Sequence, residues 1–334
     1  MKRKIALILS FILLMGVVCL SLPSCSQATV YSEGDGDINV LCTTFALFDF
    51  AREVGGERVT VSILQDSGTD LHNYTPTAAT LEAIRHADLF IYVGGTSDEN
   101  WVPDALAAAG NDSLVTLRLM DCVEPQYPHL ESDWSEHSDI EHDHEDKHDH
   151  THGDGHDHGA DEHIWTSVKN AALIVDAIKD ALISVDPEGG TTYSINAEVY
   201  KHKLEGLDEQ LTSLAEDVPM MLFADRFPFV YLLHDYHIPY KAAFSGCSTE
   251  TNSGFEIQVD LIKAVRESSL NCIFVIEGGD KHLSEAIANE TGCKVYSLNS
   301  MQSVDRAAIE SGASYLAIMQ QNINVLGEAF NGTN

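Results

Sequence analysis

The sequence has 334 residues, with 52 acidic and 19 basic side chains and a formal net charge of −33 at pH 7. Such an acidic chain argues against nucleic-acid binding, because a phosphate backbone is held by clustered Lys and Arg, and it favours cations as ligands. A mature chain of about 300 residues predicts two domains. Hydrophobic residues make up 44% of the sequence, which is enough to build a core in each.

The N-terminus predicts export. A basic patch is followed by an apolar run over residues 5–20, which is too short for a membrane helix and is typical of a signal peptide over residues 1–24. Residues 22–25 (LPSC) resemble a bacterial lipobox, so we expect Cys25 to be lipidated and to anchor the chain to the extracytoplasmic face of the cell membrane. Residues 25–37 are small, polar and acidic, and they predict a flexible leash.

Beyond the leash, short apolar runs alternate with stretches of helical periodicity. The predicted elements are, in chain order, a strand at 38–42, a helix at 47–54, a strand at 59–64, a helix at 80–86 and a strand at 89–95. This alternation predicts an α/β lobe with a parallel sheet, spanning residues 38–191. Such sheets bind ligands beyond the carboxyl ends of their strands.

A long helix is predicted over residues 192–217. Its apolar residues recur at steps of four and three, at Tyr200, Leu204, Leu207, Leu211 and Leu214. At 1.5 Å per residue this helix would be roughly 40 Å long, which suits a connection between two lobes.

The alternation of strands and helices resumes over residues 218–334 and predicts a second α/β lobe. Its expected strands are 220–223, 240–244, 272–277 and 294–298, and its expected helices are 229–234, 255–267, 282–291 and 313–330. The predicted fold is two α/β lobes with parallel sheets joined by one long helix, with a metal site in the cleft between the lobes.

Residues 131–160 are rich in His, Asp and Glu, and they predict a disordered loop because they offer almost nothing apolar to bury. Imidazole is a ligand for Zn, Cu and Ni, so this loop is expected to collect metal ions. A hydrophilic spacer is the alternative. Binding here should be weak, because each capture orders chain at about 1–2 kcal/mol per residue. The collecting histidines are expected to be His137, His142, His144, His148, His150, His152, His156 and His158.

Three segments resemble the metal-specific solute-binding proteins of ABC transporters, the ZnuA/TroA type, also labelled adhesin-like lipoproteins. They are residues 43–52 (TTFALFDFAR), 70–77 (DLHNYTPT) and 161–165 (DEHIW), the last following the His-rich loop as in zinc-binding members. The resemblance implies that His72 and His163 are metal ligands. It also implies a monomer that carries Zn²⁺, with Mn²⁺ less favoured, to an ABC permease.

The family completes its site with a His or Glu and then an Asp from the second lobe. In this sequence those positions are Arg226 and Gln302. Some members carry the same Asp-Arg-Phe-Pro-Phe and Gly-Cys-Ser variant, which implies a site of histidines and carboxylates. We therefore expect Asp225 and Glu250 to supply the second-lobe donors. The alternative donors are Gln302 and the histidines at 234 and 237.

The sequence leaves two alternative functions to compare with metal transport. An adhesin or host-interaction lipoprotein, with a structural metal site, is the alternative that the family label suggests. A metallo-hydrolase would need a general base such as the Glu of an HExxH helix, and the sequence has no such motif. The sequence therefore predicts a binding protein and no enzyme.

Overall fold

A computed structural model describes residues 30–64, 74–128, 159–246 and 255–331. Within these ranges the chain forms two sheets covered by helices and joined by one long helix, which confirms the predicted fold class. None of these described helices is long and apolar enough to cross a membrane. The helices are α1 Phe45–Gly55, α2 Ala78–His86, α3 Thr96–Glu99, α4 Val102–Ala109, α5 Val168–Val185, α6 Gly190–Ala215, α7 Val230–Asp235, α8 Phe255–Glu267, α9 His282–Thr291, α10 Arg306–Glu310 and α11 Tyr315–Asn331.

The first lobe is built on a five-stranded sheet in the order β1-β3-β2-β4-β5. Its strands are β1 Tyr31–Glu33, β2 Ile38–Cys42, β3 Val59–Ile63, β4 Leu89–Tyr92 and β5 Val115–Arg118. Strands β2 to β5 run parallel. Because successive side chains point to opposite faces, Val40 joins the core under α1 and Leu41 packs with Trp101 on the other face. The sheet is therefore buried on both faces.

The predicted leash over residues 25–37 is wrong at Tyr31–Glu33, which forms strand β1 and pairs antiparallel with β3. Its aromatic residue explains the difference, because the Tyr31 ring packs 5.9 Å from the Phe48 ring. Glu33 adds an ion pair with Arg52 at 3.1 Å. The strand was not predicted because the residues after Tyr31 are polar and only Val30 and Tyr31 are apolar.

The second lobe is built on a parallel sheet in the order β7-β6-β8-β9. Its strands are β6 Met221–Phe227, β7 Tyr240–Ser245, β8 Cys272–Ile276 and β9 Lys294–Leu298. The register of β6 shifts between Phe223 and Arg226. Strand β6 thus continues past the predicted end at Phe223, because the change of register accommodates the charged residues Asp225 and Arg226.

Helix α6 links the lobes. It begins and ends two residues before the predicted range of 192–217. It packs on α1 and α5 of the first lobe and on α11 of the second. Its buried residues are Tyr193, Ala197, Tyr200, Leu204, Leu207 and Leu211. Fully burying a Leu side chain contributes about 1.5–3 kcal/mol, so this stripe fixes the helix firmly. One continuous apolar core runs from the first sheet through α6 into the second lobe.

A fully buried carboxylate lies where the first lobe, the linking helix α6 and the second lobe meet. Asp49 on α1 accepts hydrogen bonds from Arg52, from the hydroxyl of Tyr200 on α6 at 3.3 Å and from the backbone N–H of Tyr315 on α11 at 2.9 Å. Burial raises the pKa of Asp49 to about 6, and Arg52 and the Tyr315 amide oppose that rise. Asp49 therefore connects the first lobe, the linking helix and the second lobe through one side chain.

Replacing this carboxylate should destabilise the whole chain. We expect Asp49→Ala to lower the free energy of unfolding by about 2–4 kcal/mol, because three donors lose an acceptor and Arg52 loses one of its two ion pairs. Urea unfolding followed by circular dichroism measures this. The control is Glu53→Ala, which removes the same charge from the same helix. Equal losses for the two variants would show that Asp49 does not connect the lobes.

Candidate metal centre

Residues 161–165, which include the predicted ligand His163, are held by both lobes. The indole N–H of Trp165 donates to the carbonyl of Ser300 at 2.8 Å, and the Tyr315 hydroxyl donates to the carbonyl of Trp165 at 2.9 Å. The Tyr231 hydroxyl donates to the carbonyl of Asp161 at 2.8 Å. Trp165 is completely buried. These hydrogen bonds place the residues on either side of His163 at the junction of the lobes.

Of the two predicted histidine ligands, His163 lies among the residues that the structure describes, and it is 1% exposed. Its Nδ1 lies 2.9 Å from Oδ1 of Asp161, and the same oxygen accepts the backbone N–H of His163 at 2.8 Å. A carboxylate oxygen accepts hydrogen bonds, so Nδ1 donates to Asp161 and Nε2 is the ring nitrogen that faces Gln302. Asp161 thereby orients the ring, as carboxylates commonly do behind metal-binding histidines.

The second lobe brings Gln302 to the other side of the His163 ring. Oε1 of Gln302 lies 3.3 Å from Nε2 of His163. Gln302 is 9% exposed and follows Met301, whose φ of 58° turns the chain back after β9. The turn is held because Ser300 donates from its backbone N–H and from its hydroxyl to Glu277, both at 2.8 Å. A polar side chain of the second lobe thus faces the available nitrogen.

Asp225 has other partners. Its Oδ1 accepts the N–H of Arg226 at 2.8 Å, and its Oδ2 accepts the N–H of Ile276 at 3.2 Å. Burial raises the pKa of Asp225, while these hydrogen bonds and the Arg226 charge oppose the rise. A Cβ on Gly279 would lie only 2.0 Å from Oδ2. Asp225 therefore ties β6 to the last residue of β8, and its role as a ligand stays a prediction.

Two further buried acids, neither of them predicted as a site residue, are Glu162 beside His163 and Asp98 on α3. Oε1 of Glu162 accepts the N–H of Ser97 at 2.8 Å, and Oδ2 of Asp98 accepts the N–H of Gly94 at 2.8 Å. Burial raises the pKa of Asp98 to about 6 and also raises that of Glu162. A Cβ on Gly95 would lie 2.2 Å from Cγ of Glu162. The Gly-Gly pair after β4 was the sequence signal for this close approach.

The remaining predicted site residues lie outside the described residues: His72, Glu250, Cys25 and the histidines of the loop, His137, His142, His144, His148, His150, His152, His156 and His158. In the described part of the chain, no group of three His, Cys, Asp or Glu side chains could hold a metal ion. The alternative donors His234 and His237 are exposed, with ring centroids 6.5 Å apart. The structure thus brings together His163, its partner Asp161 and Gln302.

Two sheets whose strands are parallel except for the edge strand β1, one long linking helix and a buried histidine at the junction define a two-lobed binding protein. The family follows from the sequence match. The chain belongs to the ZnuA family, zinc-uptake complex component A, periplasmic, whose model matches residues 40–329.

Curated relatives support the same family. The chain is 26% identical over 317 residues to the zinc-binding lipoprotein AdcA of Streptococcus pneumoniae, covering 94% of this chain and 60% of that protein. It is 26% identical over 307 residues to the high-affinity zinc uptake system protein ZnuA of Bacillus subtilis, covering 92% of this chain and 91% of that protein. The chain thus spans about 60% of the length of the AdcA proteins that it matches.

Solved structures share the fold. The Zn(II)-bound ZnuA-like domain of Streptococcus pneumoniae AdcA superposes with a TM-score of 0.68 at 23% identity, covering 89% of this chain and 100% of that one. The laminin-binding adhesin Lmb of Streptococcus agalactiae, as a mutant, superposes with a TM-score of 0.72 at 21% identity, covering 88% and 99%. At these identities the likeness establishes the two-lobed fold.

The contact between Gly95 and Glu162 gives a test of this packing. We expect Gly95→Ala to lower the free energy of unfolding by about 1–3 kcal/mol, because the added methyl group overlaps Glu162. The matched control is Gly206→Ala in helix α6, where a Cβ would meet nothing within 4 Å. That variant should stabilise the chain by about 0.5–1 kcal/mol, as Ala does in helix interiors. Urea denaturation measures both, and a stabilising Gly95→Ala would contradict the packing described.

Proposed function

We propose that this chain captures a zinc ion outside the cytoplasm and delivers it to an ABC permease. The observation that carries the proposal is the environment of His163. A buried imidazole whose Nδ1 is held by a carboxylate and whose Nε2 faces the other lobe is arranged as metal ligands are. Membership of the ZnuA family supports uptake of zinc as the task. The names of AdcA and ZnuA support zinc as the ion.

The proposed ligands of the first lobe are His72 and His163. Neutral imidazole nitrogens bind zinc at about 2.0–2.1 Å, and a zinc ion usually takes four ligands in a tetrahedron. The carboxylates that the sequence suggests for the second lobe are Asp225 and Glu250. Because both oxygens of Asp225 accept backbone N–H groups, its contacts favour a supporting role, so Glu250 is the stronger of the two.

The His-rich loop is proposed to act before the ordered site. Its histidines and acids would hold several ions weakly and raise the local concentration of zinc near the cleft. Capture and delivery are thus divided between two kinds of binding. The loop collects ions and the site between the lobes carries one ion in a form that a permease can take.

The proposed location is the extracytoplasmic face of the cell membrane, with the chain attached through a lipid on Cys25. The AdcA relative of Streptococcus pneumoniae is named a lipoprotein, which supports an anchor of this kind. A tethered monomer stays close to its permease, so each captured ion has a short path to the transporter.

Loss of the oriented imidazole should abolish the tight site. We expect His163→Ala to reduce zinc affinity by more than about 100-fold, beyond the effect of losing an outer partner of a ligand. Competition against a chelator, after metal stripping, measures this on the purified mature chain. The control is His202→Ala, which removes an exposed histidine that pairs with Glu205 on helix α6. Equal affinities in all three proteins would refute the proposed function.

Deleting residues 137–158 should separate the two kinds of binding. We expect the number of bound zinc ions to fall while one tight site is retained, because that site uses residues outside the loop. Calorimetric titration at pH 7.5 counts both classes. Repeating it near pH 5, below the ordinary imidazole pKa of about 6.5, should empty the weak sites of the intact chain, since protonated histidine cannot bind zinc. Loss of all tight binding on deletion would contradict the division.

A further inference from the structure

We propose that His234 and His237 form a peripheral metal site on the surface of the second lobe, which binds divalent ions that prefer nitrogen ligands, Cu²⁺ more tightly than Zn²⁺. This site does not depend on the proposed uptake of zinc. The observations that carry it are the backbone that brings the two imidazoles together, the exposure of both rings and the charges around them.

The end of helix α7 places the two imidazoles side by side. The N–H of His237 donates to the carbonyl of His234 at 3.2 Å, and the N–H of Ile238 donates to the carbonyl of Leu233 at 3.0 Å. These two hydrogen bonds form a Schellman motif, in which the residue after the C-cap turns into the left-handed region. The centroids of the two histidine rings consequently lie 6.5 Å apart, with an angle of 65° between the ring planes.

His237 occupies the position that glycine usually takes in this motif. Its φ is 53°. The Cβ of an L residue crowds the backbone in this conformation, so a side chain here lowers stability relative to glycine. Strained positions of this kind cluster at functional sites. The turn itself needs no imidazole, and the histidine adds a second ring beside His234 at a cost in stability.

The two rings can bind one ion after a small rotation. An imidazole nitrogen binds zinc at about 2.0–2.1 Å, which puts the centroids of two rings in a tetrahedral site about 5 Å apart. The observed 6.5 Å therefore has to shorten by about 1–2 Å. Both side chains are exposed, so each ring can turn about its side-chain bonds, and water molecules can complete the coordination.

This arrangement differs from that of other histidines on the described surface. Three other exposed histidines each lie within 3.0 Å of an acid: His86 with Glu82, His202 with Glu205 and His282 with Asp280. His234 and His237 instead make a ring contact with each other. A pair of imidazoles holds a metal ion by two bonds at once, which a single imidazole cannot do.

The charges around the pair favour a cation. The carbonyl of Asp235, between the two histidines, accepts from Nζ of Lys169 at 3.3 Å, and Lys169 also lies 4.0 Å from Asp208. Two carboxylates thus accompany one ammonium group, and the net charge of −33 further attracts metal ions. Imidazole suits Cu²⁺ and Zn²⁺, with Cu²⁺ bound more tightly, and Mn²⁺ prefers oxygen ligands. The expected order of affinity is therefore Cu²⁺, Zn²⁺, Mn²⁺.

Modification of individual histidines tests the pair on the full mature chain. Diethyl pyrocarbonate modifies accessible neutral imidazoles, and mass spectrometry gives the rate at each histidine, so that ions held by the His-rich loop do not obscure the result. The rates are compared without metal and with buffered Cu²⁺, Zn²⁺ or Mn²⁺. The variants are His234→Ala and His237→Gly, and glycine accepts the left-handed conformation. His202 in the same protein is the control, and circular dichroism of the metal-free variants confirms that each is folded.

We expect Cu²⁺ to slow the modification of His234 and His237 by at least about 10-fold, Zn²⁺ to slow it less and Mn²⁺ to leave it within about 2-fold. Loss of either ring should remove the protection of the other, because one exposed imidazole binds an ion weakly. The rate at His202 should stay within about 2-fold in Cu²⁺. The pair should remain protected in His163→Ala, so failure of the site between the lobes would leave this site standing.

Four results would overturn the inference. Unchanged modification of both rings in Cu²⁺ would show that they bind no ion. Equal protection of His202 would show that any exposed imidazole takes the ion. Undiminished protection of His234 in the His237→Gly variant would show that the two rings do not act together. Protection by Mn²⁺ as strong as that by Cu²⁺ would show that carboxylates hold the ion instead.

Discussion

One buried carboxylate joins the three parts of the molecule. Asp49 belongs to the first lobe, and its oxygens bind Tyr200 on the linking helix and the amide of Tyr315 in the second lobe, with Arg52 balancing its charge. A buried charge is tolerated only where its partners are in place, so the lobes are held in one relative arrangement. The apolar core that continues through α6 reinforces it. Under the proposed function, a site with donors from both lobes would need little movement of the lobes to form.

Most of the fold could be predicted from the sequence, because strands and helices alternate with distinct periods and α6 carries a regular apolar stripe. The exceptions have physical reasons. Strand β5 was missed because its alternation of Val115 and Leu117 with polar residues is short. Strand β1 was missed because only Val30 and Tyr31 are apolar in a stretch of polar residues. An edge strand needs few apolar contacts, so its sequence carries little pattern.

The candidate site was less predictable. His163 could be found because its motif resembles a family pattern, but its partners could not, since they come from positions far apart in the chain. Gln302 lies 139 residues away. Asp225 is a predicted donor because it adjoins Arg226 at a ligand position of the family, yet residue type does not reveal what a side chain already binds. The backbone N–H groups of Arg226 and Ile276, which occupy Asp225, appear only when the strands are assembled.

The continuous core along α6 also limits how a transporter can distinguish a loaded molecule from an empty one. Proteins whose lobes close by hinge motion around a ligand change their outline when it binds. Here the linking helix packs on α1, α5 and α11, so the lobes cannot swing widely without exposing that core. Under the proposed function, empty and loaded molecules offer the permease nearly the same outline and compete for it. The rate of uptake then depends on the ratio of loaded to empty molecules.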